Sequence, residues 1–85
     1  MDLLRHLTFF VAVAEERHFG RAAARLGMTQ PPLSQGLRRL EARLGTSLFD
    51  RGPGGVSPTA AGRDLLPRAR ALIEDAAALG RAAAR

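Results

Sequence analysis

The chain has 85 residues, of which 46% are hydrophobic and 25% are charged. This length fits one small domain, because a single hydrophobic core usually organises about 100 to 150 residues. The composition excludes a disordered chain, and the absence of cysteine excludes a disulfide framework, a thiolate nucleophile and the usual structural zinc sites. Thirteen basic and eight acidic residues give a net charge of +5, and every basic residue is an arginine, which favours a polyanionic partner.

The sequence also bears on location and catalysis. The longest apolar stretch, from Leu7 to Ala14, is interrupted by Thr8, is too short to cross a bilayer and lacks a signal peptide's cleavage region. We therefore expect a cytoplasmic protein with no membrane segment. The serines and the two histidines lack the positioned base or carboxylate that a catalytic triad or a metal site needs. We expect no enzyme activity, no cofactor and no metal.

Two helices are predicted in the first third of the chain. Residues at helical spacing predict a first helix over residues 3–17 with one face toward the core. These residues are Leu3, Leu7, Phe10 and Ala14. The sequence His18-Phe19-Gly20 is expected to break this helix. A second helix of about two turns is predicted over residues 21–26, and Gly27 follows where helices commonly end in the left-handed conformation.

A third helix is predicted over residues 30–44. Thr29 is its expected N-cap, with the hydroxyl facing an unpaired amide, and proline costs little in the first turn because those amides have no intrahelical partner. Gly36 is expected to leave room for a crossing helix, and Gly45 provides the stop. The core face consists of Leu33, Leu37, Leu40 and Leu44. The opposite face consists of Pro31, Gln35, Arg38 and Ala42, with Gln30 and Ser34 on its flank.

A two-stranded wing and a long helix complete the chain. Leu48-Phe49 and Val56 enclose a Gly/Pro turn and predict a hairpin whose apolar residues pack on the helices. Thr59 is expected to cap a helix that runs to about Ala84, and Pro67 is expected to kink it. Along this helix a heptad seam alternates by four and three residues, as in helices that pair. Its members are Leu65, Ala69, Leu72, Ala76, Leu79 and Ala83.

The helix, tight turn and helix over residues 21–44, followed by a wing, indicate DNA binding, because such a unit places its second helix in the major groove. Gln30, Ser34 and Gln35 are hydrogen-bonding side chains suited to base edges, and glutamine can bond adenine through two hydrogen bonds. A solvated helix face is the alternative for these three residues. The arginines suited to neutralising phosphates around this surface are Arg21, Arg38, Arg39, Arg51 and Arg63.

Five stretches resemble, in order and spacing, the N-terminal DNA-binding region of LysR-type transcriptional regulators, over essentially the whole chain. They are LTFFVAVA from Leu7, HFGRAAARL from His18, TQPPLSQGLRRLEARLG from Thr29, LFDR from Leu48 and TAAG from Thr59. The QPPLS run is most similar to members that regulate aromatic-compound catabolism. In that family the helix that begins at the QP motif enters the major groove, the wing reaches the flanking minor groove, and the long helix pairs antiparallel with its twin.

The resemblance and the arginine pattern together give a set of DNA-binding residues. The set consists of Arg21, Thr29, Gln30, Pro31, Ser34, Gln35, Arg38 and Arg51. The resemblance implies that Gln30, Pro31 and Ser34 touch bases or nearby backbone. By the same resemblance, Thr29 and Arg38 fall at phosphate-contact positions and Arg51 matches the wing arginine.

Two features depart from the family pattern. Gly54 and Gly55 replace wing residues that are often basic, so the affinity is expected to rest more on the third helix. Gln35 stands where a base-reading arginine is common, which favours adenine or a water-mediated contact over guanine.

We therefore expect a mostly α protein, with a winged helix-turn-helix of three helices and a two-stranded wing over residues 1–58 and a long C-terminal dimerisation helix over residues 59–85. The expected function is sequence-specific binding of double-stranded DNA by a homodimer on an inverted repeat. Full family members continue into an effector-binding domain that sets tetramer formation, and we expect this chain to be part of such a protein. The alternatives are a protein-interaction module whose basic face docks an acidic partner, and a general RNA- or chromatin-binding protein without base readout.

Overall fold

A computed structural model describes residues 2–85 of the chain. Its elements are α1 Leu3–Glu16, α2 Phe19–Arg25, α3 Gln30–Leu44, β1 Phe49–Gly52, β2 Gly55–Pro58 and α4 Ala60–Ala83. This is the predicted mostly α architecture, with a single antiparallel hairpin between α3 and α4 in the described residues. None of the helices described combines the length and the apolar character that crossing a bilayer requires.

Helix α1 forms the centre of the core and packs against each of the other three helices. Its buried face is wider than the predicted stripe, because Phe9 is also buried, while Leu4 stays 43% exposed. The helix ends at Glu16, one residue earlier than predicted. Arg17 adopts the left-handed conformation (φ 54°), and its amide closes the last turn by donating to the Val13 carbonyl.

The predicted break between the first two helices is present, but it lies at Arg17 and His18 and not at residues 18–20, and α2 begins at Phe19, two residues earlier than predicted. His18 has an extended backbone, and its Nδ1 atom accepts a hydrogen bond from the Arg21 amide at 2.9 Å. A ring nitrogen thus takes the capping role that usually falls to Ser, Thr, Asp or Asn. After α2, Gly27 (φ 68°) forms the tight turn toward α3.

Helix α3 has the predicted bounds, and its first turn contains Pro31 and Pro32. Thr29 has the extended backbone of an N-cap, but its side chain makes no capping hydrogen bond, so the predicted hydroxyl cap is wrong. The reason is local. An N-cap side chain accepts from the amides of the second and third helical residues, and both of these residues are proline here.

The underside of α3 lies directly on α1. Leu33, Leu37 and Leu40 are fully buried. Gly36 allows the close approach that was predicted, since a Cβ there would lie 2.7 Å from the Phe9 ring and 3.1 Å from Cδ2 of His6. Leu44, the fourth leucine assigned to the core, is instead 42% exposed. It lies at the rim of an open apolar groove bounded by α1 and α4, past the closely packed part of α3.

The wing is an antiparallel hairpin in which Gly52 pairs with Gly55 at the turn. Leu48 and Phe49 are buried and Val56 is half-buried, as predicted. Phe49 packs edge-on against Phe10 of α1, with ring centroids 5.6 Å apart. A two-stranded hairpin is marginal on its own, so this aromatic contact, of a kind that adds about 0.5 to 1.5 kcal/mol, holds the wing on the helices.

Helix α4 begins at the predicted cap. The Thr59 hydroxyl accepts from the Gly62 amide at 3.0 Å and donates to the Ser47 carbonyl at 2.7 Å, which joins the helix to the start of the wing. The helix spans 24 residues, about 36 Å, and continues through Pro67. The kink at this proline stays a prediction.

The N-terminal half of α4 belongs to the core. Ala69 is 3% exposed, and Leu65, Leu66 and Ile73 are half-buried against the same cluster. Arg70 also reaches Glu15 of α1, with 2.9 Å between Nη2 and Oε2. The core packing therefore continues across the predicted boundary between the winged helix-turn-helix (residues 1–58) and the dimerisation helix (residues 59–85). This division into two parts stays a prediction.

Gly62 and Gly80 of α4 test the contact between this helix and the wing. A Cβ on Gly62 would overlap the Leu48 carbonyl, which cannot rotate away, whereas a Cβ on Gly80 meets nothing within 4 Å. We expect Gly62→Ala to lower the free energy of unfolding by about 1 to 3 kcal/mol, as overpacking does. Gly80→Ala should raise it by about 0.5 to 1 kcal/mol, because alanine is the better helix former. Urea unfolding of both variants measures this, and shifts of the same sign would contradict the close contact.

Candidate nucleic-acid interface

The eight residues predicted to contact DNA lie at the surface of α2, α3 and the wing. The exposed ones are Arg21, Thr29, Gln30, Pro31, Gln35, Arg38 and Arg51, whereas Ser34 is half-buried. The core does not enclose any of them. The structure therefore keeps every residue of the predicted set available to a ligand.

The N-terminal ends of α2 and α3 meet at this surface. A Cβ on Gly20 would lie 3.4 Å from Nε2 of Gln30 and 2.8 Å from Cε1 of His18. Glycine at this position thus lets the side-chain amide of Gln30 lie against the first turn of α2. The contact joins the helix that His18 caps to the first residue of α3.

The outer face of α3 carries hydrogen-bonding groups with no partner inside the chain. Among residues 2–85, the side chains of Gln30, Gln35 and Arg38 make no hydrogen bond or ion pair. Within the described part of the chain, the hydroxyls of Ser34 and Thr29 also make no hydrogen bond, and Thr29 lacks its capping bond because Pro31 and Pro32 offer no amide. This face therefore presents amide and hydroxyl groups whose hydrogen-bonding capacity is open to a ligand.

Arg21 and Arg51 are held in place by other residues. Nη2 of Arg21 donates to the Glu16 carbonyl at 3.0 Å, which satisfies an end carbonyl of α1. The guanidinium carbon of Arg51 lies 5.2 Å from the centroid of the Phe19 ring, a cation–π contact that ties the wing to the start of α2. Both side chains remain exposed along the same surface.

Glu41 couples α3 to the wing, and sequence reasoning missed it. Its Oε2 accepts from the Leu48 amide at 2.7 Å and from the Ser47 hydroxyl at 3.2 Å. Its Oε1 lies 3.8 Å from Nη2 of Arg51. A carboxylate on the last turns of α3 thereby sets the position of the first wing strand. No residue spacing signals this contact, because its partners lie beyond the end of the helix.

His6 lies beneath α3 and is 8% exposed. Its ring is 5.7 Å from that of Phe9, and its Nδ1 has no hydrogen-bond partner among the described residues. Burial lowers the pKa of His6, and the positive charges of Arg39 and Arg5 lower it further, while Asp2 acts in the opposite direction. The imidazole that supports α3 is therefore neutral near pH 7.

A cluster of ion pairs connects α1 with α2 and α4 beside the interface. The Glu15 carboxylate lies 2.7 Å from Nη2 of Arg25 and also bonds Arg70. Hydrogen bonds from Arg25 and then from Arg70 lower the pKa of Glu15. These pairs are solvent-exposed and each contributes little stability, but together they restrain the orientation of three helices.

The predicted seam of α4 divides into two parts. Ala69 is in the core of its own chain and Leu65 is half-buried against it, whereas Leu72 is 50% exposed and Leu79 is 72% exposed. Ala76 is half-buried and Ala83 is exposed. The part of the seam that is open to a second helix therefore runs from residue 72 onward. Pairing along it stays a prediction.

Comparison with known proteins decides the family. A family model described as "Bacterial regulatory helix-turn-helix protein, lysR family" matches residues 4–63. The chain belongs to the LysR family. Within residues 2–85 of this LysR-family domain, no group of three or more metal-ligating side chains is close enough to hold a metal ion.

Relatives with curated descriptions are transcriptional regulators. The domain is 58% identical over 74 residues to the HTH-type transcriptional regulator ShiR of Corynebacterium glutamicum (strain R), a match that covers 87% of this chain and 25% of that protein. It is 55% identical over 67 residues to the regulator AlsR of Bacillus subtilis (strain 168), covering 79% and 22%. The chain thus spans about a quarter of the length of these relatives.

Solved structures of isolated domains match the whole chain. The CbnR_DBD–DNA complex is 43% identical with a TM-score of 0.90, and the match covers 100% of both chains. The BenM_DBD/catB site 1 DNA complex is 39% identical with a TM-score of 0.93, covering 100% of this chain and 94% of that one. These matches confirm the predicted winged helix-turn-helix. Because the relatives are regulators, they also confirm that the domain is not an enzyme.

Because His6 is buried in its neutral state, the packing of α3 on α1 is sensitive to acid. The folded-state pKa is lowered from 6.5, so this contribution to stability is complete above pH 6.5 and is lost as the pH falls through the folded-state pKa. We expect the urea concentration at the unfolding midpoint to decrease as the pH is lowered from 7.5 to about 5. In His6→Leu, the part of this decrease that His6 causes should be absent. His18→Asn, which replaces the other histidine with a good N-cap, serves as the control and should retain that part. An identical pH profile in His6→Leu and the parent would contradict the assignment.

Proposed function

We propose that this LysR-family domain binds double-stranded DNA sequence-specifically in the cytoplasm, as the DNA-binding part of a transcriptional regulator. The outer face of α3 carries the proposal, because its exposed amide and hydroxyl groups are unengaged and its underside is fully packed. A helix of this kind, preceded by a tight turn and a shorter helix, lies in the major groove of B-DNA. The DNA complexes of CbnR_DBD and BenM_DBD support the proposal.

The proposed contacts divide into base readout and backbone positioning. Gln30, Ser34 and Gln35 read base edges, since amides and hydroxyls can both donate and accept in the major groove. Pro31 packs beside them without an amide hydrogen of its own. The residues assigned to phosphates are Arg21, Thr29, Arg38 and Arg51. The free hydroxyl of Thr29 suits this role because no helix amide competes for it.

The domain acts as a homodimer through α4 in this proposal. Leu72 and Leu79 are the two large apolar side chains left exposed on that helix, and Ala76 lies midway between them. In an antiparallel pair, each Leu72 meets Leu79 of the second copy, and the small Ala76 side chains allow close approach at the centre. Burying a leucine side chain stabilises such a contact by about 1.5 to 3 kcal/mol. The twofold axis then matches an inverted repeat in the DNA.

The alternative of docking an acidic protein uses the same arginines but leaves the α3 face unused. An acidic partner would be bound by charge, and charge alone does not require unengaged amides beside it. Base edges do require them. We therefore favour DNA as the ligand. If an acidic polypeptide competed with duplex DNA for binding to the domain, that result would favour the acidic-partner alternative.

Substitutions on α3 and the wing separate base readout from backbone contact. We expect Gln30→Ala and Ser34→Ala each to reduce discrimination between an operator and random duplex DNA by about 1 to 3 kcal/mol, because base-edge contacts are lost. Arg51→Ala should weaken binding to the operator and to random duplex DNA by the same factor, so that discrimination between them is unchanged. Fluorescence anisotropy with both duplexes at a fixed salt concentration measures the two affinities. Equal effects of all three variants on both DNAs would contradict the division.

The dimer seam is tested at its most exposed leucine. We expect Leu79→Glu to shift the domain from dimer to monomer in sedimentation velocity, because the substitution places one charge in each of the two apolar Leu72–Leu79 contacts. Ala78→Glu, on an adjacent exposed position of the same helix, adds the same charge off the seam and should leave the mass unchanged. Loss of the dimer in both variants, or in neither, would refute this interface.

A further inference from the structure

An open cleft lies between the end of α1 and the wing. Its volume is about 410 Å³. Its lining includes Arg17, Asp50, Arg51, Gly54, Gly55 and Ser57. Two arginines therefore line one cleft, and none of the roles assigned above uses the Arg17 side chain.

Arg17 occupies a backbone conformation that opposes its side chain. It is the single non-glycine residue with positive φ among residues 2–85, at 54°. This region is sterically unfavourable for a residue with a Cβ, and glycine is the usual choice where a helix ends in this way. The Arg17 side chain makes no hydrogen bond or ion pair with the described residues. An arginine here therefore weakens folding without a compensating contact, and such strain points to a role outside folding.

The cleft is continuous with the proposed DNA surface. Arg51 lies on the ring of Phe19, the first residue of α2, and the next residue, Gly20, packs against the Gln30 amide. On the other side, a Cβ on Gly55 would lie 3.8 Å from the Arg17 carbonyl, so the end of α1 borders the wing turn. A strand of DNA backbone that leaves the α3 face toward the wing would pass this cleft.

The Arg17 side chain gives the cleft a positive charge that pairs with no carboxylate among the described residues. The lining also contains Arg51, which lies 3.8 Å from Oε1 of Glu41, and Asp50, which stands opposite Ser57 in the hairpin register. Gly54 and Gly55 carry no side chain, so a bulky polyanion can approach the wing backbone closely. The wing tip itself offers no positive side chain. The positive charge beside this turn thus comes from Arg17 at the end of α1 and from Arg51 in the first wing strand.

We propose that Arg17 and Arg51 together bind a backbone phosphodiester of DNA in this cleft, with Arg17 supplying the positive charge that the glycine-containing wing tip lacks. A guanidinium presents a planar fork that matches phosphate oxygens, and both arginines line a cleft that one phosphodiester can enter. This inference rests on the proposed function, because it specifies a further contact to the same ligand.

Arg17→Gly is the decisive variant, because it removes the side chain and relieves the backbone strain at once. A phosphate contact is independent of sequence, so random-sequence duplex DNA is a sufficient probe. We expect the variant to bind this duplex about 5- to 10-fold more weakly at about 0.1 M salt, and its salt slope to fall by about 0.9 per protomer. Its melting temperature should equal or exceed that of the parent. Weaker binding by a protein that is at least as stable cannot come from damage to the fold.

Two controls accompany this variant. Arg85→Gly removes one charge at an exposed residue beyond the end of α4 and should leave the salt slope unchanged. Arg17→Lys keeps the charge without the fork, so it should keep the parent's salt slope and bind with intermediate affinity. If Arg17→Gly matches Arg85→Gly in affinity and slope, the proposed clamp is wrong although the domain binds DNA. If the parent itself does not bind duplex DNA, the proposed function fails as well.

A last measurement separates DNA phosphodiester from free phosphate. Replacing chloride with inorganic phosphate at constant ionic strength should leave the melting temperature of the parent unchanged at millimolar concentration. A saturable rise in melting temperature that Arg17→Gly abolishes would reassign the cleft to a small free anion and overturn the proposal.

Discussion

The close packing of α3 on α1 at Gly36 is the constraint on which the rest of this domain depends. Because the position has no Cβ, the α3 backbone approaches the Phe9 ring and His6. This approach lets the α3 leucines at 33, 37 and 40 bury completely. Once the underside is filled, one face of α3 is left toward solvent, and it is the face with unengaged amides. The direction of the interface is thus a result of core packing, not of any residue on the interface itself.

Polar and cation–π contacts then fix the wing, α2 and α4 in position around the packed α3. Glu41 links the far end of α3 to the first wing strand, and Arg51 links that strand to the start of α2. Thr59 joins the wing to α4 through its bonds to Ser47 and Gly62. Each bond is modest in free energy, since side-chain hydrogen bonds contribute about 0.5 to 1.5 kcal/mol net. Their importance lies in geometry, because they leave the wing and both flanking helices with one arrangement around α3.

Much of this fold could be predicted because its signals are local. The leucine spacing of α3, the two prolines in its first turn and Gly45 after it gave the correct bounds. The missing Thr29 cap was also readable from sequence, since the prolines remove the amides it needs. Other features depend on tertiary structure. The cap by His18 needs a particular ring orientation, and the exposure of Leu44 depends on where the closely packed part of α3 ends.

The candidate interface shows the same division. Exposure of the eight predicted residues follows from helical periodicity and the turn, so the surface could be located from sequence. The contacts that orient it could not. Glu41 is seven residues from Leu48, and Arg21 bonds a carbonyl of the preceding helix, distances along the chain that no motif fixes. Arg17 went unnoticed because its left-handed backbone is visible only in three dimensions.

The seven-residue spacing of the two exposed leucines on α4 has a consequence for the length of the DNA site. In the proposed antiparallel pair, both Leu72–Leu79 contacts form in a single alignment of the two helices. Sliding the helices by one heptad would leave one leucine pair and displace the two domains by about 10.5 Å. That displacement equals about three base-pair steps. In that proposed dimer, the spacing of these two leucines would fix the distance between the two halves of the DNA site.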